Sequence, residues 1–215
     1  MRTEFTRDII ITDFSHIEET NCYCSPQSAE TIRQKILSFP INAIHFIGTG
    51  DYHYQTLFWL ERLTEPFSLV LIDNHPDDQQ SAFTEELLSC GGWVEQARKL
   101  PLCKRTVWIR EASDYCHLTS SPESIKNPGS ISEVGMHTVY LSVDIDVLSQ
   151  EYAHTDWSQG EMTLEELLTI CRRLSEEFKI LGADICGGLT EDKGGTDADF
   201  ALNQRTIRAI ADAIL

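Results

Sequence analysis

Short apolar runs rich in branched and aromatic residues recur along the chain, and polar or glycine-containing segments separate them. Runs of this length and composition are typical of strands that are buried on both faces of a sheet. They predict strands at residues 42–47, 68–73, 106–109, 138–143 and 180–185.

Between these runs, apolar residues recur at the spacing of an amphipathic helix. The predicted helices span residues 27–38, 54–63, 91–100, 163–178 and 199–214. Thr163, followed by Glu165 and Glu166, favours a helix start because a hydroxyl caps free amides and acids suit the positive end of the dipole. Strands that alternate with helices predict an α/β fold, with a mostly parallel sheet covered on both faces. We expect one domain over residues 1–215, with a surface loop at 111–137.

Composition and charge limit the classes of partner. The 215 residues include 17 Lys and Arg against 34 Asp and Glu, a formal net charge of -17. This excess repels nucleic acid and anionic membranes. No run approaches the roughly 20 apolar residues of a membrane span, and the first residues do not have the pattern of a secretory signal. We therefore expect a small-molecule substrate, no nucleic acid and no membrane, while a homo-oligomer stays open.

The cysteines indicate the compartment. There are seven, an odd number, and they are scattered without a CxxC pair. This usage is typical of a reducing environment, so we expect a cytoplasmic protein.

Three of the predicted strands are followed by acidic or imidazole side chains. In chain order these are His53, then Asp73, His75 and Asp77, then Asp144 and Asp146. The carboxyl ends of parallel strands meet at one edge of a sheet, where ligands bind. Alternation along an extended chain would place each group on one face. The sequence therefore predicts one pocket lined by these side chains.

Such a pocket needs cations, because like charges a few ångströms apart do not all stay ionised. Mixed carboxylate and imidazole ligands suit Mn, Fe or Zn. A pair of divalent ions that share carboxylates can activate water and polarise a substrate. The pattern therefore predicts a metal-dependent hydrolase.

Two of these segments resemble motifs of a known family. Asp73-Asn74-His75-Pro76-Asp77 resembles the DAHxD motif, and Ser142-Val143-Asp144-Ile145-Asp146 resembles the SxDxD motif, of the arginase and agmatinase (ureohydrolase) family. Gly48 to His53 lies where that family has a GGDH motif. The similarity spans roughly residues 42–215 and is typical of a compact arginase-like branch. It implies the three-layer α/β/α fold shared with histone deacetylases and two divalent ions, Mn first, with Zn or Fe as alternatives.

The resemblance also implies roles for single residues. Asp73 and Asp144 would bridge the two ions, His75 and Asp146 would complete one of them, and Asp77 would serve the other. The sixth ligand is displaced, because Tyr52 stands where the family has its histidine. His53 follows one residue later, and a one-residue bulge could bring it into the site; otherwise one metal is weak or missing, as in the deacetylase branch with its single zinc.

The expected substrate contact also departs from the family. Ureohydrolases hold the guanidinium with a glutamate after the last strand, whereas this chain has Gly187 there. This argues against arginine or agmatine, although Glu191 on the following loop is a candidate replacement.

The working hypothesis is hydrolysis of a non-peptide carbon–nitrogen bond in a guanidino, amidine or amide substrate. Asp77 would hydrogen-bond the attacking water, and His154, on the loop after the Asp144 strand, would protonate the leaving amine. One alternative is a deacetylase-like amidohydrolase with a single zinc, which requires His53 to point away. Another is a metal-binding or regulatory protein without catalytic activity.

Overall fold

The computed structural model describes residues 9–12, 14–80, 87–119 and 137–215. Asp13 and residues 120–136, which make up most of the predicted loop, lie outside the described residues. The first part of that loop, residues 112–115 and 116–119, forms a 3-10 turn and a short helix.

A parallel sheet lies at the centre of the described structure. Along the chain the strands are β1 (Ile9–Ile11), β2 (Tyr23–Cys24), β3 (Ile44–Phe46), β4 (Phe67–Ile72), β5 (Leu88–Ser89), β6 (Cys103–Ile109), β7 (Thr138–Asp144) and β8 (Lys179–Cys186). Six of them form the sheet in the order β1-β3-β8-β7-β4-β6, and every neighbouring pair is parallel. The strands β2 and β5 form a separate antiparallel ribbon. The five apolar runs correspond to β3, β4, β6, β7 and β8, whereas β1, β2 and β5 were not predicted.

Helices cover both faces of the sheet. They are α1 (Pro26–Ile36), α2 (Gln55–Leu60), α3 (Trp93–Ala97), α4 (Cys116–Thr119), α5 (Leu164–Glu177) and α6 (Asp197–Ile214). Alternation along β4 sends Leu71 to the core beneath α1, α2 and α3, and Val70 to the core beneath α5 and α6. The predicted α/β class, with a mostly parallel sheet between helical layers, is confirmed.

The longer helices begin at side-chain caps. The Thr163 hydroxyl accepts a hydrogen bond from the Glu166 amide, and the Glu166 carboxylate accepts one from the Thr163 amide. Thr196 and Asp199 form the same capping box at the start of α6. These reciprocal bonds satisfy amides that have no partner within the helix, and they fix the directions of α5 and α6.

Two further features bear on the expected environment. All seven cysteines are free. Among the described helices, none combines the length and the apolar character that a membrane span requires.

Candidate metal centre

The candidate centre lies where β4 and β7 end. These strands are neighbours, and Ile72 pairs with Val143 in their register. Asp73 follows β4 directly and Asp144 ends β7, so the two carboxylates stand side by side at the carboxyl edge of the sheet. Both are almost completely buried. The convergence expected from the strand ends is therefore present.

Turns, and not an extended chain, bring the remaining acids into the cluster. The His75 amide donates to Asp73 Oδ1 at 2.6 Å, and the Asp146 amide donates to Asp144 Oδ1 at 2.9 Å. Asp77 has a positive φ of 47°. The expectation of alternation along an extended chain is wrong here, because each leading carboxylate accepts the amide two residues on and folds the chain into a turn.

His53 reaches the cluster from a different element. It follows the 3-10 turn Gly50–Tyr52 and lies two residues before the start of α2. Its Nδ1 lies 3.1 Å from both Asp73 Oδ2 and Asp77 Oδ2, and 3.7 Å from Asp144 Oδ2. The expected strand bulge is absent from this segment, and the helical turn itself directs His53 inward while Tyr52 faces a neighbouring cavity.

His75 lies at the more exposed side of the cluster. Its Nδ1 is 2.9 Å from Asp146 Oδ2 and 3.6 Å from Asp73 Oδ1. The edge of its ring meets Trp157, with centroids 5.9 Å apart. Among the described residues, three groups have ligand atoms within 4.8 Å of one another. They are His53, Asp73 and Asp77; Asp73, His75 and Asp146; and His53, Asp144 and Cys186.

Burial and mutual repulsion perturb these acids strongly. Burial and the charge of Asp73 raise the pKa of Asp144 to about 6. Burial and the charge of Asp144 raise the pKa of Asp146 to about 9. Hydrogen bonds to Asp146 and Asp73 in turn raise the pKa of His75 to about 10. Among the described residues, the two imidazoles are the only groups able to carry positive charge that contact these four carboxylates. This cluster of carboxylate and imidazole ligands therefore fits divalent metal ions, which would supply positive charge.

A buried chain of hydrogen bonds fixes the His53 ring. Its Nε2 lies 2.8 Å from Ser142 Oγ, and the Ser142 hydroxyl donates to Asp184 Oδ1 at 2.6 Å. Ser142 and Asp184 pair directly in the β7–β8 register. Asp184 is fully buried, and burial raises its pKa to about 6. This chain leaves Nδ1 free to face the acids, as expected for a metal-ligating histidine whose second nitrogen is held by a partner.

The Asp77 oxygen that faces His53 also accepts a hydrogen bond from an indole. Trp93 Nε1 donates to Asp77 Oδ2 at 2.8 Å, from the first residue of α3. Both side chains are buried. The indole therefore orients the carboxylate toward His53, and no sequence pattern indicated this partner.

A second polar network lies beside the cluster. Asp51 is buried and accepts hydrogen bonds from Asn21 Nδ2 at 2.8 Å, Lys193 Nζ at 2.6 Å and Trp157 Nε1 at 3.1 Å. Burial opposes its ionisation, yet the hydrogen bonds from Lys193, Cys22 and Asn21 hold the pKa of Asp51 below its ordinary value. The network joins segments that are far apart in sequence, and it was not predicted.

Two predicted residues lie apart from the cluster. His154 pairs through Nδ1 with Asp199 of α6, its amide donates to Asn203 Oδ1, and its side chain is 41% exposed. Within the described residues, no hydrogen bond or ion pair links it to the acids of the centre. Glu191 is exposed on the loop after β8.

Gly187 is in direct contact with the cluster. Its φ is +101°, and a Cβ atom there would lie 2.4 Å from Asp144 Oδ1 and 2.7 Å from Ile145 Cγ1. No side chain fits at this position without moving Asp144.

A largely apolar cavity of about 740 Å³ adjoins the centre on the β1–β3–β8 side. Gly48, Tyr52 and Gly187 contribute to its lining, together with Phe46 and Phe200. None of the six candidate ligands lines this cavity, and Gly187, where an added Cβ would meet Asp144, is the lining residue nearest to them in the contacts described.

Comparisons with known proteins give the fold a name. No family model matches the chain. An uncharacterised protein of Thermotoga maritima is 38% identical over 146 residues, which are 67% of this chain and 57% of that protein. The matched part of the chain thus spans little more than half the length of this relative.

Solved structures extend the comparison. The proclavaminate amidino hydrolase of Streptomyces clavuligerus has a TM-score of 0.63 at 17% identity, over 87% of this chain and 70% of that one. The Bacillus subtilis formimidoylglutamase gives 0.59 at 14%, over 87% and 67%. The Trypanosoma cruzi formiminoglutamase with Mn²⁺ gives 0.57 at 12%, over 87% and 71%. The chain has the arginase-like ureohydrolase fold, which confirms the fold implied by its two Asp motifs.

Proposed function

We propose that this chain is a metal-dependent hydrolase that cleaves a non-peptide carbon–nitrogen bond at a centre of two divalent ions. The observation that carries the proposal is the convergence of four buried aspartates and two histidines at the ends of β4 and β7. Among the described residues, no lysine or arginine contacts these four carboxylates. Divalent cations would supply the missing positive charge.

The contacts support a division of the ligands between two ions. Asp73 belongs both to the group with His53 and Asp77 and to the group with His75 and Asp146, as a bridging carboxylate would. Asp144 lies between the groups, with Oδ2 facing His53 and Oδ1 held by the Asp146 amide. His53 and Asp77 would hold one ion, and His75 and Asp146 the other.

Manganese is the first ion to test, because a neighbour of the same fold contains Mn²⁺ and because carboxylates dominate the donor set. Zinc or iron would suit the two imidazoles as well. A bound pair of such ions supplies an activated water and a Lewis acid for the substrate.

The residues of the chain would orient the reaction. The hydrogen-bonded chain from Asp184 through Ser142 keeps His53 facing the acids, and Trp93 keeps Asp77 directed to the same point. Asp77 is the candidate to accept a proton from the attacking water. His154 stays the predicted proton donor to the leaving amine, although its contact with Asp199 directs the imidazole toward α6.

The substrate would belong to the guanidino, amidine or amide compounds, in line with the amidino and formimino chemistry in the names of the structural neighbours. Gly187 provides no carboxylate for a guanidinium, which argues against arginine and agmatine. The apolar cavity beside Gly187 would accept an uncharged part of the substrate. The single-zinc alternative required His53 to point away, whereas its Nδ1 faces Asp73 and Asp77.

Metal analysis tests the centre. Wild type is expected to bind about two Mn²⁺, Zn²⁺ or Fe²⁺ ions per chain. Asp144→Asn is expected to bind fewer, because it weakens a bridging ligand without changing shape. Asp212→Asn, an exposed position on α6, is the matched control and should keep the wild-type content. Equal metal content in wild type and Asp144→Asn would contradict the assignment.

A substrate screen tests the activity. Metal-loaded protein is incubated with guanidino compounds, amidines and acylated amines, and the released urea, ammonia or amine is measured. Turnover that Asp144→Asn loses and Asp212→Asn keeps supports a hydrolase. Stoichiometric metal binding without turnover across the panel favours the non-catalytic alternative. In an active protein, His154→Asn with full metal content but low turnover supports the predicted proton donor, and unchanged turnover removes it.

A further inference from the structure

The ends of β7 and β8 place a cysteine against the metal centre. Asp144 and Cys186 are direct partners in the register of these parallel strands. Partnered residues on neighbouring strands project to the same face of a sheet. Cys186 Sγ accordingly lies 3.1 Å from Asp144 Oδ2, and both side chains are buried.

The thiol lies on the His53 side of the centre. Cys186 Sγ, a ring nitrogen of His53 and a carboxylate oxygen of Asp144 all lie within 4.8 Å of one another. The same Asp144 Oδ2 is 3.7 Å from His53 Nδ1. Of the seven free cysteines, Cys186 is the one in a potential ligand group among the described residues.

We propose that Cys186 is a thiolate ligand of the ion held by His53, so that this centre binds Zn²⁺, Co²⁺ or Fe²⁺ in preference to Mn²⁺. The inference rests on the proposed metal centre and specifies its chemistry. As the sulfur–metal bond forms, the thiol proton leaves to solvent and the hydrogen bond to Asp144 is lost. A soft sulfur donor favours these ions over Mn²⁺, which prefers oxygen.

Cobalt absorption reads out the sulfur ligand directly. Apoprotein is titrated with Co²⁺ while the near-ultraviolet thiolate-to-cobalt charge-transfer band and the visible ligand-field bands are recorded. Wild type should develop both kinds of band. Cys186→Ala and Cys186→Ser should lose the charge-transfer band yet still bind Co²⁺ through the remaining ligands. Cys171→Ala is the matched control, because Cys171 is equally buried but packs in the core beneath α5, and it should keep the band.

The possible outcomes separate this inference from the proposed function. The sulfur ligand is overturned if wild type binds Co²⁺ without a charge-transfer band, or if the band survives in both Cys186 variants. Either result leaves the proposed metal centre intact. Wild type that binds no Co²⁺, Zn²⁺ or Mn²⁺ overturns the centre and the inference together.

Metal competition distinguishes ligation from a purely structural thiol. Cys186→Ser keeps an O–H donor toward Asp144, so a merely structural hydrogen bond would be preserved and the ratio of Zn²⁺ to Mn²⁺ affinity would not change. A lost sulfur ligand should lower that ratio about tenfold or more, the size of effect that changes close to a metal produce. An unchanged ratio in Cys186→Ser would overturn the proposal.

Discussion

Replacing Gly187 by alanine tests how closely the backbone after β8 packs on the candidate metal centre. The new Cβ would lie 2.4 Å from Asp144 Oδ1, 2.7 Å from Ile145 Cγ1 and 3.1 Å from the Ile145 amide nitrogen. Distances this short require the Asp144 carboxylate or the turn after it to move. The φ of +101° adds a conformational cost for any residue with a Cβ.

The two contributions can be separated with a second glycine. Gly194 has a similar φ of +88°, but a Cβ added there would have no atom within 4 Å. Gly194→Ala should therefore lose only the conformational part of the free energy of unfolding, about 1–2 kcal/mol. Gly187→Ala should lose about 1–3 kcal/mol more, the usual cost of overpacking. Urea unfolding of the three metal-free proteins measures the difference.

Metal binding adds a second, independent measurement. An ion at 100 times its Kd raises the free energy of unfolding by about 2.7 kcal/mol. If the shift of Asp144 weakens binding about 100-fold, the increment at the same ion concentration falls to about 0.4 kcal/mol in Gly187→Ala. Gly194→Ala should keep the wild-type increment. Equal losses of stability and equal metal increments in the two variants would refute the close packing of Gly187 on Asp144.

Three further predictions concern single side chains around the centre and in the core. Ser142→Ala should weaken metal binding about 10–100-fold, because His53 loses its hydrogen-bonded partner. Thr56→Val removes hydrogen bonds to Asp184 and to the Ser142 hydroxyl but leaves the contact between His53 and Ser142, so it should weaken binding less in the same titration; equal affinities in the two variants would contradict the role of Ser142. Burial lowers the pKa of His45 from 6.5 to about 4, so its contribution to stability is complete above pH 6.5 and falls by about 3 kcal/mol as the pH drops to about 4. His45→Gln should show a correspondingly flatter pH dependence of the free energy of unfolding, and coinciding curves would mean that His45 is not held neutral in the fold. Lys193→Met should lose about 1–3 kcal/mol, because it leaves the buried Asp51 and its neighbour Asp156 without their shared cation, whereas Lys179→Met, which breaks an exposed pair with Glu65, should lose less than about 1 kcal/mol. Similar losses in the two lysine variants, measured by urea unfolding, would show that the Asp51 pair contributes no more than a surface pair.

The strands that the sequence predicted all contain buried apolar residues, although in β6 only Val107 and Ile109 are buried. All six residues of β4 and all seven of β7 are buried, so an apolar run in the sequence predicts where each of these strands lies. The strand β1 has three residues and is partly exposed at the edge of the sheet, where it pairs only with β3. Its three isoleucines favour a strand by composition, but the run is too short to stand out in the sequence. The two-residue strands β2 and β5 depend on pairing with each other.

The location of the centre was predictable, but its local geometry was not. Parallel strands necessarily bring Asp73 and Asp144 to one edge. The conformation between the acids depends on local hydrogen bonds, such as that from the His75 amide to Asp73, which a pattern of residue types does not specify. His53 likewise depends on the 3-10 turn before it.

The sequence pattern did not predict which residues from distant segments form hydrogen bonds or ion pairs with each other. Asp51 and Lys193 are 142 residues apart, and Ser142 meets Asp184 only because β7 and β8 pair in one particular register. An acid inside the apolar run of β8 was the one available signal for Asp184. A buried carboxylate in a strand requires a hydrogen-bonding partner, and the neighbouring strand was the place to look for it.

The end of β8 carries both the departure at Gly187 from the ureohydrolase pattern and the proposed sulfur ligand Cys186. Cys186 and Gly187 are consecutive, and both touch the Asp144 carboxylate, the thiol at Oδ2 and the glycine at Oδ1. A glutamate at residue 187 would need space that Asp144 occupies. The glycine that provides no contact for a guanidinium is therefore also the residue that allows the β8 backbone to approach Asp144 closely. Gly187 argues against a guanidinium contact and Cys186 is the proposed sulfur donor to the metal, so a screen with Zn²⁺ or Co²⁺ and substrates without a guanidinium follows from the two neighbouring residues together.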